Sequence, residues 1–153
     1  MTRARLSLAL TGACLAALTL TGCEKPAPSA TVFSGTTSTY REAACWSFDD
    51  TSIDANACAQ DVLEKAASGA TVGTVPIFPG DVIGISVDPA VADAGWTPRI
   101  GGQSLTPEPL TTTYFRFTYP DLQPISTEGL SLEIVAGDAG STKGIWLFQI
   151  VPA

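Results

Sequence analysis

The side chains with the most chemistry to offer are four thiols, at Cys14, Cys23, Cys45 and Cys58, because the chain has no histidine. Without an imidazole there is no Ser-His-Asp or Cys-His nucleophile and no His-ligated metal site. A serine nucleophile would need a lysine or a carboxylate as its base. Lys25, Lys65 and Lys143 are the only lysines, and none falls in a Ser-x-x-Lys pattern. Fifteen Asp and Glu would permit a glycosidase-type pair by number, but a general acid needs a pocket that raises its pKa. Seven of the fifteen stand directly beside Gly, Pro, Ser or Thr, as solvated turn residues do. Asp49, Asp50, Asp54 and Asn56 offer hard oxygens at close spacing for Ca²⁺, yet the glycine and distal glutamate of an EF-hand loop are missing. A helix-capping loop is the expected role of this cluster. Gly137-Asp138-Ala139-Gly140-Ser141-Thr142-Lys143-Gly144 has the glycines of a phosphate loop, but its lysine follows the Ser-Thr pair and a strand follows the lysine. It is expected to be a hairpin loop. No catalytic residue, metal ligand or cofactor is assigned.

The N-terminus sorts the thiols. Arg3 and Arg5 precede an uncharged run from Leu6 to Leu20, and small residues follow. Those are the three parts of an export signal. The run has 15 residues, short of the roughly 20 a membrane-spanning helix needs. It ends in Leu20-Thr21-Gly22-Cys23, which resembles a bacterial lipobox. In proteins with that motif the thiol at the Cys23 position accepts a diacylglycerol and a peptidase cuts between the positions of Gly22 and Cys23. Small residues at Thr21 and Gly22 let the backbone enter the peptidase. Residues 1–22 are thus expected to be a lipoprotein signal peptide, and Cys23 the lipidated first residue of a chain anchored to the membrane.

On this reading Cys14 leaves with the signal and Cys23 carries lipid. Cys45 and Cys58 remain as an even pair in an oxidising compartment, so a disulfide is expected. A redox pair or metal thiolates are the alternatives, and neither a C-x-x-C spacing nor a third ligand favours them. The bridge would pin the polar loop between the two cysteines.

The whole chain carries a formal charge of -7, and loss of Arg3 and Arg5 takes the mature chain to -9. That balance argues against a nucleic-acid binder, which needs a basic face for phosphates, so no nucleic acid is expected. It also repels an anionic membrane surface. Residues 23–31, with Pro26, Pro28 and Ser29, read as a tether that is extended and does not pack. The folded domain is expected over 32–153.

Thr, Val, Ile and aromatic residues fill the segments between Gly and Pro breaks, which is a strand signature. Strands are expected at 31–34 and 37–46 around Gly35, at 71–78 up to the turn pair Pro79-Gly80, and at 81–87. Others are expected at 96–100 and 103–105 around Gly101-Gly102, at 111–119, and in a final hairpin of 130–136 with 143–151. In 111–119, Phe115, Phe117 and Tyr119 alternate with Tyr114, Arg116 and Thr118. A short helix is expected after Asp88, with Pro89 at its first position and Gly95 at its end. Ala59, Val62, Leu63 and Ala66 have helical spacing and predict a second, with an irregular loop as the rival. This pattern gives an all-β, antiparallel immunoglobulin-like sandwich of about seven to eight strands with one or two short helices. Trp46, Trp96 and Trp146 are expected in its core.

The order of features is a lipobox, a Cys pair, Val75-Pro76-Ile77-Phe78-Pro79-Gly80-Asp81, Ser86-Val87-Asp88-Pro89, Trp96, a Tyr/Phe-rich strand, and Gly144-Ile145-Trp146-Leu147-Phe148-Gln149-Ile150. It resembles an actinobacterial family of lipoproteins defined as a domain of unknown function. The resemblance spans most of the mature chain. It implies attachment to the extracytoplasmic face of the cell membrane, and it implies no activity and no catalytic residue. The expected function is therefore that of a lipid-anchored envelope protein that is not an enzyme and that meets an envelope protein partner. The alternative is an extracytoplasmic binder of a small ligand, using Tyr114 or Trp96.

Overall fold

The computed structural model describes residues 25–49, 51–67, 72–120, 125–138 and 140–153. They form a β-sandwich of two sheets. Strands β1 (Ser29–Ser34) and β2 (Thr37–Glu42) make the first hairpin, and β3 (Cys45–Trp46) follows. Helix α1 (Ala55–Ala67) leads to β4 (Gly73–Ile77) and β5 (Val82–Val87). Helix α2 (Pro89–Ala94) precedes β6 (Trp96–Ile100), β7 (Gln103–Ser104) and β8 (Tyr114–Thr118). The closing hairpin is β9 (Leu130–Asp138) with β10 (Ser141–Pro152).

One sheet has the order β2-β1-β5-β8 and is antiparallel throughout. The other has the order β3-β10-β9-β6-β7. Its outer edge at β10 is shared by two strands. β3 pairs antiparallel with Gly144 and Ile145, and β4 runs parallel to Phe148–Pro152. The expected all-antiparallel pattern fails at this one pair. Where β4 runs beside the first sheet, the Thr39 hydroxyl donates to the Thr74 carbonyl at 2.7 Å.

The core follows from the period-two pattern of the strands. Val32, Ile83 and Ile85 face inward from the first sheet. Val75, Ile77, Trp96, Leu132, Ile134, Trp146, Phe148 and Ile150 meet them from the second, each at most 1% exposed. Phe115 and Phe117 turn toward this core and Tyr114, Arg116 and Thr118 away, as their alternation predicts. Trp96 and Trp146 are buried, whereas Trp46 is half-buried.

Several boundaries differ from the sequence reading, each for a physical reason. The described residues carry ten strands instead of seven or eight. The expected strand 37–46 breaks at Ala43-Ala44, because its last two residues leave the first sheet to pair with β10. The helix predicted around Ala59 begins at Ala55, and Ala59 itself is exposed while Cys58 is buried. The disulfide decides which side of α1 turns inward. The final hairpin is tighter than expected, since Gly137 and Asp138 already pair with Thr142 and Ser141. Thr71, Asp50 and Gly69 lie outside the described residues.

The tether is the largest correction, because Ser29, Ala30 and Thr31 belong to β1 and Ala30 is buried. The Pro28 carbonyl accepts the Trp146 indole N–H at 3.0 Å and the Ala43 amide at 3.0 Å. The Asp88 carboxylate accepts the Ser29 amide at 2.7 Å and its hydroxyl at 2.9 Å. Asp88 is the N-cap of α2 but makes no side-chain capping bond. It caps through its main-chain carbonyl, which accepts from Val91 and Ala92, and its carboxylate is spent on β1.

Gly84 sits between β1 and β8 with no side chain of its own. The tip of the Phe33 ring fills that space, 2.4 Å from where a Cβ would stand. An aromatic ring laid over a strand glycine restores the buried area the glycine lacks. Gly84→Ala is expected to push Phe33 aside and lower stability by about 1–3 kcal/mol. Urea unfolding measures it, and an unchanged midpoint would show that Phe33 moves without cost.

Candidate functional site

The sequence-predicted residues divide into those the structure joins and those it leaves apart. Gly22 and Cys23 lie outside the described residues. Cys45 and Cys58 are joined in a disulfide with their Cα atoms 5.9 Å apart. The bridge links β3 to α1 and closes the polar loop, as expected. Inside that loop the Asp54 carboxylate accepts the amides of Asn56 at 2.8 Å and Ala57 at 3.1 Å, so it caps α1. That is the capping role expected of the cluster. The loop is held to the sheet by the Ile53 amide on the Thr142 carbonyl at 2.8 Å and by the Ser52 hydroxyl on the same carbonyl at 3.1 Å.

The loop borders a shallow depression of about 440 Å³ with Trp46, Asp54 and Asp61 on its walls. The Trp46 ring lies where a Gly144 side chain would be, 2.4 Å from the Cβ position. Its centroid is 5.8 Å from that of Trp146, and the Lys143 ammonium stands 5.7 Å over it. Lys143 is thus an aromatic-facing cation on the hairpin. Among the described residues no three His, Cys, Asp or Glu side chains converge as metal ligands.

Among the described residues, Asp54, Asp81 and Asp88 serve the backbone directly. Asp54 caps α1, Asp88 holds β1, and Asp81 accepts the Phe78 amide at 2.8 Å across the Pro79-Gly80 turn. Trp96, one of the two aromatics considered for a small ligand, is buried with its indole N–H on the Thr112 carbonyl at 2.7 Å. A ligand at the surface cannot reach it. Tyr114, the other, is 48% exposed.

Tyr114 belongs to a surface the sequence reading did not assemble. The outer face of the β2-β1-β5-β8 sheet has Tyr40, Thr31, Ser86 and Tyr114 in one cross-strand row. Ser38, Phe33, Gly84 and Arg116 form the next. Phe33 crosses Gly84 and meets Tyr114 with ring centroids 6.2 Å apart and planes within 14°. Tyr40 is 56% and Val82 51% exposed at the margins. The start of β8 is fixed from below. Trp96 holds the Thr112 carbonyl, the Thr112 hydroxyl donates to the Tyr114 carbonyl at 3.0 Å, and the Val87 amide donates to the Thr113 carbonyl at 2.9 Å. The alternation of 114–118 showed that Tyr114 and Arg116 share a face. No short-range signal placed Phe33 and Gly84 beside them.

Comparison with protein-family models, curated proteins and solved structures finds no match to this chain.

Replacing Cys45 and Cys58 by serine removes a 14-residue ring and should cost about 3 kcal/mol on the chain-entropy estimate. Guanidinium unfolding with and without a reductant measures it. The wild-type protein should lose the same amount on reduction, and the double variant should be insensitive to reductant.

Proposed function

We propose that this chain is a lipid-anchored lipoprotein of the bacterial cell envelope, held on the extracytoplasmic face of the membrane, whose sandwich is a non-enzymatic interaction module. The observation that carries the reading is the cysteine arithmetic. With Cys45 bonded to Cys58, and Cys14 lost with the signal, Cys23 is the one thiol left to accept a lipid. It stands where Leu20-Thr21-Gly22 would present it to a lipoprotein peptidase. A bridge between β3 and α1 also suits an oxidising compartment. The resemblance to the actinobacterial lipoprotein family points to the same address. Among the described residues no helix is long and apolar enough to cross a membrane.

The non-enzymatic part is supported by the absence of histidine and by the use of Asp54, Asp81 and Asp88 as backbone acceptors. An interaction role is supported by the exposed aromatic face on a rigid sheet.

Cys23→Ser, expressed in an actinobacterial host, should leave an unprocessed precursor that takes up no labelled fatty acid. Mass spectrometry of the wild-type chain should find acylated Cys23 at its N-terminus. A mature chain that starts elsewhere would sink the anchoring. Cross-linking on intact cells, followed by recovery of the lipidated protein, should capture a specific envelope component. Recovery of the lipoprotein alone would count against the interaction module.

A further inference from the structure

We propose that β8 is a homodimerisation edge, to which a second copy of this chain adds its own β8 antiparallel. The inference goes beyond the envelope reading and does not need the lipid.

β8 ends its sheet and pairs with β5 on one side only. The Val87 amide donates to the Thr113 carbonyl, and the Tyr119 amide to the Asp81 carbonyl. Antiparallel pairs alternate between bonded and open, so Phe115 and Phe117 spend their main-chain groups on β5. The main-chain groups of Tyr114, Arg116 and Thr118 point to the open side. The Tyr114 carbonyl takes the Thr112 hydroxyl there and keeps a second lone pair. The other sheet margins are closed or short. β2 abuts β4, where the Thr39 hydroxyl donates to the Thr74 carbonyl and a Cβ on Gly73 would stand 2.8 Å from Thr39. β3 and β7 have two residues each. Among the described residues, β8 is the one longer edge without a neighbour.

Proteins guard such an edge with proline, lysine, a bulge or an inward charge. Tyr114–Thr118 has no proline and no lysine, its register on β5 is unbroken, and its inward residues are Phe115 and Phe117. Both rings are only half-buried, although Phe115 packs edge-on against Trp96 and lies 6.2 Å from Phe117. A further strand at this edge would cover them. The one charge, Arg116, selects the partner and the register. Arg116 opposite Arg116 would set like charges face to face. Moving the partner by two residues puts Arg116 of each copy opposite Tyr114 of the other. Each guanidinium then lies beside a tyrosine that is 48% exposed in the single chain, a cation–ring pair. On the inner side Phe115 meets Phe115, so the stack of rings runs through both copies. One strand thus supplies both halves of the match, as a two-fold interface requires. Tyr114–Thr118 contains no acidic residue, and repulsion between the acidic remainders is screened within about 8 Å in physiological salt. The two four-stranded sheets become one, and the β2 margin, closed by β4, stops growth at two.

Sedimentation of the full lipidated chain in excess detergent micelles should show monomer and dimer in equilibrium and nothing larger. Arg116→Pro removes a donor from the open side and leaves the bonds to β5 intact, so it should be monomeric. Arg116→Gln should weaken the dimer about tenfold, because two cation–ring contacts are lost per dimer. Unfolding midpoints of the dilute proteins report folding, and Arg116→Gln carries the test should Arg116→Pro unfold. Tyr114→Cys mixed with Arg116→Cys should form a disulfide between unlike copies, since a bonded pair holds its Cα atoms about 5.5 Å apart. Tyr114→Cys mixed with Thr118→Cys should not, because that bridge needs Arg116 opposite Arg116. The proposal is overturned if the chain stays monomeric up to about 0.5 mM, if it forms larger assemblies, if Arg116→Gln dimerises as the wild type does, or if the Thr118→Cys mixture couples instead. Capture of a different protein at β8 by a chain that does not self-associate also overturns it. Acylation of Cys23 and recovery of an envelope component are read separately, so either can fail with this dimer intact.

Discussion

The Pro28 carbonyl is the point on which the sandwich turns. Trp146 brings a large indole into the core from β10, and its N–H would be left without water or partner there. Pro28 supplies the partner, and the same oxygen takes the Ala43 amide. One carbonyl therefore joins the longest strand of the second sheet to both strands of the first hairpin. The Asp88 carboxylate completes the attachment by taking two bonds from Ser29. β1 is an interior strand of its sheet, so fixing its entry fixes the register of β2 and β5 on either side.

The same economy governs the other polar groups. An Asp near a turn can either stay free for chemistry or close a backbone bond, and here Asp54, Asp81 and Asp88 do the second. Trp96 uses its N–H to hold the loop that begins β8. These three carboxylates and the Trp96 indole are thus tied into holding the scaffold. The outer face of the β2-β1-β5-β8 sheet presents rings, hydroxyls and one guanidinium, Arg116.

Much of the fold was legible because it is local. The alternation from Tyr114 to Tyr119 gave both faces of β8, and Gly101-Gly102, both at positive φ, gave the β6–β7 turn. Proline after Asp88 marked the start of α2. The cysteine count gave the bridge. What was not legible depends on partners far away in the chain. The parallel seat of β4 on β10 joins residues more than seventy positions apart. The break at Ala43-Ala44 is decided by Gly144, and the true start of β1 by Trp146 and Asp88. The candidate face is the clearest case. Tyr114 and Arg116 were seen to share a side, but Phe33 joins them only because Gly84, fifty-one residues on, leaves room for its ring.

The anchorage of Pro28 has a consequence for where the protein can search. Five peptide steps separate Cys23 from Pro28, at most about 18 Å of chain. A lipid at Cys23 would therefore confine the sandwich to a thin layer over the bilayer, with the start of β1 tied close to the surface. Encounter in such a layer is a problem in two dimensions. A partner within the layer would be met at a local concentration set by leash length, and one lying farther out would not be met at all. Leash length, fixed by a single proline carbonyl, would then select partners by height before any side chain reads their chemistry.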